Sequence, residues 1–151
     1  RDYNEGVHAL SHALVAVAPL FVPCCTMADI NCDHTIFDCT RVCLFDMRAG
    51  GAGMCAQLWK CIFVPDGLVE AAVDLIENCT QCRHDRGYDG GCPACLQFGQ
   101  CLRFNQGLSR SAALTIGKRM VKRIQNTELY KRNAALLSAE SEENNNNNNN
   151  N

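Results

Sequence analysis

Five cysteines crowd one short stretch, Cys79-x2-Cys82-x9-Cys92-x2-Cys95-x5-Cys101. Two C-x2-C knuckles each fold back a pair of sulfurs, so four thiolates can converge on one tetrahedral ion. The residues between the knuckles, Arg83-His84-Asp85-Arg86-Gly87-Tyr88-Asp89-Gly90-Gly91, are polar and glycine-rich and have too little apolar surface to order themselves. A metal crosslink supplies what they lack. Pro93 stiffens the second knuckle, and Gly90 and Gly91 allow the positive φ angles such turns use. Four sulfurs leave Zn²⁺ no open position for water, so the expected role is structural.

The two-knuckle unit selects Cys79, Cys82, Cys92 and Cys95. Cys101 stands as a substitute for Cys79 or as a spare thiol near the site, and His84 is a further alternative ligand. Disulfides or idle thiols are the competing reading, disfavoured because paired knuckles are uncommon by chance and no secretory signal opens the chain. Cys24, Cys25, Cys32, Cys39, Cys43, Cys55 and Cys61 lie among apolar or strand-like residues, where cysteine acts as a small hydrophobe. A reducing compartment, cytosol or nucleus, is expected. No apolar run approaches the roughly 20 residues that cross a bilayer, so the chain is expected to be soluble, with no membrane partner.

A length of 151 residues suits one domain with a modest core. No methionine opens the chain, which suggests a piece of something longer. From Val7, the apolar positions Leu10, Leu14, Val17 and Phe21 recur at helical spacing and predict a core-facing helix that ends near Pro19 or Pro23. His8 and His12 stand one helical turn apart on it. No H-E-x-x-H pattern accompanies them, so capping or packing is expected rather than metal binding. Arg41–Asp46 reads as a short strand, followed by the glycine loop Met47–Gly53 and a helix over 54–63. Such a loop can point N–H groups at an anion, but the G-x-x-x-x-G-K-[ST] pattern is absent, and close packing of helix on strand accounts for the glycines more simply. Pro65-Asp66-Gly67 breaks the chain before an amphipathic helix marked by Leu68, Ala71, Ala72, Leu75 and Ile76, which delivers Cys79. Ser109 is a candidate N-cap for a helix burying Ala112, Ala113, Ile116, Met120 and Ile124. The predicted fold is α+β: a small helix-rich zinc-binding domain over residues 5–132, with a short strand element and a four-cysteine metal loop. A disordered, asparagine-rich tail is expected over 133–151.

The formal charge of −2 hides an uneven distribution. Residues 102–132 carry 8 Lys+Arg against 1 Asp+Glu, whereas residues 1–101 carry 6 against 12. Within the basic block, Lys118, Arg119, Lys122 and Arg123 crowd one side of the predicted helix. Such density suits a phosphate backbone and equally suits a solvated helix face.

The order of features, His8-Ala9-Leu10-Ser11-His12-Ala13-Leu14 with Ala18-Pro19-Leu20, then Leu44-Phe45-Asp46, Gly50-Gly51-Ala52-Gly53, Gly91-Cys92-Pro93-Ala94-Cys95, and Asn105 ahead of Leu108-Ser109-Arg110-Ser111-Ala112-Ala113, resembles the MrfA-like zinc-binding domain over roughly residues 5–125. In that family the domain closes superfamily 2 DEAD/DEAH-box DNA helicases, among them mitomycin-repair and RecQ-like enzymes. The resemblance implies a C-terminal accessory domain of an ATP-dependent 3′→5′ DNA helicase in DNA repair, with single-stranded or forked DNA and the motor domains of the same polypeptide as partners. Cys92 and Cys95 map cleanly. Family members commonly carry C-x-C where this chain has Cys79-x2-Cys82, which leaves the choice among Cys79, Cys82 and Cys101 open. The Walker A lysine, the DExH box and an arginine-finger segment are absent, so this stretch is expected to be non-catalytic and ATP binding to lie elsewhere in the parent protein. A purely structural, protein-docking module is the alternative, and thiol exchange through Cys92-x-x-Cys95 is disfavoured by the neighbouring cysteines.

Overall fold

A helix that is apolar on nearly every face has to be covered on nearly every face. In the computed structural model, which describes residues 2–33, 41–84 and 89–148, α1 (Asp2–Val17) is such a helix, with every residue from Gly6 to Val15 buried. It packs against α3 (Leu68–Glu77), α5 (Arg110–Gln125) and the strand β1 (Ile30–Cys32). Leu10, Leu14 and Val17 enter the core as their spacing predicts, and a single 3₁₀ turn, Ala18–Leu20, carries Pro19 past the helix end.

β1 pairs antiparallel with β2 (Leu44–Asp46), in the register Ile30↔Asp46, Asn31↔Phe45 and Cys32↔Leu44. The sequence reading anticipates only β2. Three residues of β1, buried without alternation, give no period to detect. Helix α2 (Met54–Lys60) follows the glycine loop and is shorter than the expected 54–63. Three packed helices, one small sheet and a cysteine loop make the predicted α+β, helix-rich arrangement.

Two glycines set how closely the helices approach. A Cβ on Gly6 of α1 would lie 2.6 Å from Ala112 Cβ and 2.8 Å from the Ala112 carbonyl carbon of α5, and one on Gly117 of α5 would lie 2.6 Å from Val73 Cγ2 of α3. At these crossings one backbone rests directly on its neighbour's side chains and main chain.

The glycine loop departs from expectation. Gly50, Gly51 and Gly53 have φ of 81°, 73° and 74°, and a Cβ on Gly50 or Gly53 would meet nothing within 4 Å. Backbone conformation, and not close packing, requires them. The turn aims four N–H groups at one carboxylate: Asp46 Oδ2 accepts from Ala52 (2.8 Å), Gly53 (2.7 Å) and Met54 (3.2 Å), and Oδ1 accepts from Cys55 (2.9 Å). The anion of this loop is thus the chain's own. Hydrogen bonds from the Cys55 N–H and thiol, then from Ala52 and Gly53, hold the Asp46 pKa down at about 2. Because this lies below the unfolded carboxylate value of about 3.9, the stabilisation is fully present above about pH 5 and is lost as pH falls from about 4 towards 2. Asp46→Ala should therefore destabilise the domain at neutral pH and lose less stability than wild type between pH 5 and 2, as read by urea midpoints.

The last helix, α6 (Glu128–Asn148), crosses the boundary at 133 where an unordered tail is expected. Ala134, Ala135, Leu136, Leu137 and Ala139 are strong helix formers, and that local preference extends the helix where packing does not. Its residues from Ala135 to Ser141 are exposed, and Asn133 ties it back by donating to the Phe63 carbonyl at 2.9 Å. Cys39, the loop residues Asp85 to Tyr88 and the last three asparagines lie outside the described residues.

Candidate metal centre

The first knuckle begins where α3 ends. Asn78 caps α3 and Cys79 follows, with Cys82 one turn later in the short helix α4 (Thr80–His84). The second is a tight turn in which Leu96 and Gln97 donate their N–H groups to the Cys92 carbonyl at 2.9 and 3.0 Å. The turns face each other, with Cys79 Sγ 3.9 Å from Cys92 Sγ and Cys82 Sγ 3.7 Å from Cys95 Sγ. All four sulfurs lie within 4.8 Å of one another. Zinc–sulfur bonds of about 2.3 Å place tetrahedral sulfurs about 3.8 Å apart, whereas a disulfide needs about 2.05 Å. The four atoms fit a tetrahedral ion.

The electrostatics call for a cation. Burial opposes ionisation of Cys79, Cys82 and Cys95; at Cys79 hydrogen bonds from the Cys82 N–H and from the Cys95, Cys82 and Cys92 thiols outweigh it and bring the pKa to about 7. Burial, then the neighbouring Cys92 and Cys79 sulfurs, push Cys82 up to about 11, and burial with the same crowding pushes Cys95 higher still. A positive ion seated among crowded sulfurs favours their thiolate forms.

Two contacts bind the loop to the helical core, and a third ties α5 to the end of α3 beside the first knuckle. Leu96 and Phe98, directly after the second knuckle, are buried at 0% and 2% exposure. Asp89 accepts from the Ser111 N–H (2.6 Å) and from the Ser109 and Ser111 hydroxyls (both 2.8 Å), which places a carboxylate at the α5 N-terminus. Arg110 reaches back to donate to the Ile76 carbonyl at 2.9 Å, at the α3 C-terminus. Ser109 caps α5 as predicted, its hydroxyl accepting from Ala112 N–H at 3.3 Å. The role of Asp89 had a signal in the sequence, an acid in the loop ahead of a serine-capped helix.

Cys101 is not part of this group. Its sulfur lies 3.4 Å from His8 Nε2, in a separate buried cluster with His12. His84 is exposed at the end of α4 and belongs to neither cluster. Among the remaining cysteines, Cys25 and Cys32 are buried, and burial, then the Cys101 and Asp33 charges, push Cys32 up to about 12, as suits a thiol that stays neutral. Cys24 and Cys43, read as small hydrophobes among apolar or strand-like residues, are exposed.

Lys118, Arg119, Lys122 and Arg123 are all exposed on α5 and form two rows. Lys118 pairs with Glu77, and Lys118 and Lys122 border a groove of about 630 Å³ whose other wall carries Asp66, Glu70, Asp74 and Glu77 of the α3 region. Arg119 and Arg123 are not among the residues lining that groove. No described helix is long and apolar enough to cross a membrane.

A protein-family model described as MZB, the MrfA Zn-binding domain, matches residues 10–96, from the middle of α1 to just past the second knuckle. No curated protein and no solved structure matches the chain.

Proposed function

Because this chain belongs to the MrfA Zn-binding domain family, we propose that it is the zinc-stabilised accessory domain of an ATP-dependent 3′→5′ DNA helicase acting in DNA repair, in the nucleus or cytoplasm. Cys79, Cys82, Cys92 and Cys95 hold one Zn²⁺. When bound, the ion supplies a crosslink and no open coordination position. ATP binding and hydrolysis belong to the motor domains of the same polypeptide, against which this domain packs. The observation that carries the reading is the Asp89 clamp: the metal loop grips the first turn of α5, so the ion sets the position of the helix bearing the basic rows.

In this reading Lys118, Arg119, Lys122 and Arg123 contact the phosphates of a single or forked DNA strand and read no bases. The acids of the α3 groove already neutralise part of the lysine row, so the arginine row carries most of the contact. Affinity for a single-stranded oligonucleotide, measured by fluorescence anisotropy over a salt series, should fall linearly on a log–log plot. Arg119→Ala with Arg123→Ala should flatten that slope by about 1.4, from about 0.7 per phosphate contact, and Lys118→Ala with Lys122→Ala by less. Absence of binding at low salt, or a slope that ignores the arginines, would dispose of the strand-binding role.

The same groove favours a second reading. Lysines facing their own acids suit a docking face for a protein with mixed charge. Co-purification with the helicase lobes in the absence of any oligonucleotide affinity would select it.

A further inference from the structure

The His8, His12 and Cys101 cluster is built like a metal cradle. His8 and His12 project from one face of α1, an i, i+4 pair, at 5% and 1% exposure, and Cys101 is 8% exposed. His8 Nδ1 lies 3.1 Å from the Gly107 carbonyl oxygen and His12 Nδ1 lies 2.8 Å from that of Leu96. A carbonyl oxygen only accepts, so both Nδ1 atoms carry protons and each neutral ring keeps its lone pair on Nε2. Backbone carbonyls commonly fix metal-binding imidazoles in this way. His8 Nε2 meets Cys101 Sγ at 3.4 Å, and one ring nitrogen from each histidine and the sulfur all lie within 4.8 Å of one another. Zinc bonds of about 2.0–2.1 Å to nitrogen and 2.3 Å to sulfur separate the two ligand atoms by about 3.5 Å at a tetrahedral angle.

The loop presenting the sulfur is strained, as loops at functional sites often are. Between Cys101 and Leu108, Phe104 (φ 53°), Asn105 (φ 59°) and Gly107 (φ 67°) are all left-handed, and two of these are not glycine. The chain is held in that form by Asn105 Oδ1, which accepts from Phe98 N–H at 2.8 Å, and this places the Asn105 N–H 3.4 Å from Cys101 Sγ as a donor to it. The Gly107 carbonyl at the end of the same loop fixes His8. One short segment therefore supplies the sulfur, a donor to it, and the orienting acceptor for one imidazole.

We propose that His8, His12 and Cys101 form a second metal site, separate from the four-cysteine group, which takes a zinc-class divalent ion through two imidazole Nε2 atoms and one thiolate. The mixed nitrogen and sulfur set suits the borderline ions Zn²⁺ and Co²⁺ and excludes Mg²⁺ and Ca²⁺, which take oxygen. Three protein ligands leave the fourth position to a small ligand such as water. His8 and Cys101 lie outside the matched residues 10–96, so this site is not a restatement of the family match.

The test is a Co²⁺ titration of the full chain, stripped of metal by chelator under reducing conditions and followed by absorption. Two equivalents should bind. One gives the intense charge transfer of four thiolates, and the other a weaker charge transfer of one thiolate with d–d bands at higher energy. Cys101→Ser and the paired His8→Gln, His12→Gln variant should each lose the one-thiolate equivalent and keep the four-thiolate one. As a readout independent of folding in the variants, the ¹⁵N resonances of both imidazole Nε2 atoms in the wild-type chain should shift when Zn²⁺ fills the site. Saturation at one equivalent with a four-thiolate spectrum, unmoved imidazole resonances, or a second equivalent that survives in Cys101→Ser would each overturn the proposal. Failure of the four-thiolate spectrum alone would instead count against the structural zinc reading.

Discussion

Replacing Cys92 and Cys95 together by serine is expected to abolish zinc binding at the four-cysteine group and to lower stability by more than about 4 kcal/mol, a melting shift of about 10 °C or more for a chain of this size. Structural zinc contributes about 10–16 kcal/mol to the folding of zinc-finger peptides, which rivals the whole stability of an ordinary domain. This domain also has an apolar core on α1, so the effect should be smaller than complete unfolding. The second knuckle leads straight into the buried Leu96 and Phe98, and the loop's Asp89 holds the first turn of α5. Release of the knuckles therefore reaches the core from two directions. Thermal melts by circular dichroism measure the shift, and chelation of the wild-type protein should reproduce it. A variant melting within about 2 °C of wild type would show that the ion contributes little to the fold.

Gly6→Val should cost about 3 kcal/mol, measured as a fall in the urea midpoint with little change in slope. Two effects oppose each other. Removing glycine from a helix stabilises it by at most about 1 kcal/mol, but the added carbons meet the Ala112 carbonyl carbon at 2.8 Å and Ile116 Cδ1 at 2.9 Å. A side-chain tip can turn aside; the α5 backbone cannot move without separating the helices, so the clash prevails. Ala112 directly follows Ser111, which Asp89 grips, and α5 displaced at that point should weaken the clamp on the metal loop. A lower zinc affinity in the same variant is the accompanying expectation.

What the sequence disclosed follows from how local each signal is. The knuckles, the Ser109 cap and the spacing of Leu10, Leu14 and Val17 each depend on residues a few positions apart, and each lies where it was expected. Which of the five sulfurs stand together depends on tertiary packing: the α3 end and the second turn bring those of Cys79 and Cys82 face to face with those of Cys92 and Cys95. Cys101 joins His8 across 93 positions, a pairing that no spacing rule can propose. The histidine pair was visible and so was the surplus cysteine; the missing element was the α1–loop contact that joins them. In the glycine loop close packing was the expected reason for the glycines, and the backbone N–H groups they aim at Asp46, which stands just ahead of the loop, were not anticipated. The basic helix was also legible, but the acids of α3 that face its lysine row come from far upstream, Glu77 being 41 positions before Lys118, and become its neighbours only through the helix packing.

The most direct test of the central claim is X-ray absorption at the zinc edge, on the full chain carrying one equivalent of Zn²⁺. A first shell of four sulfurs at about 2.3 Å is the predicted result. A shell dominated by nitrogen or oxygen, or a chain that retains no zinc through gel filtration, would contradict it.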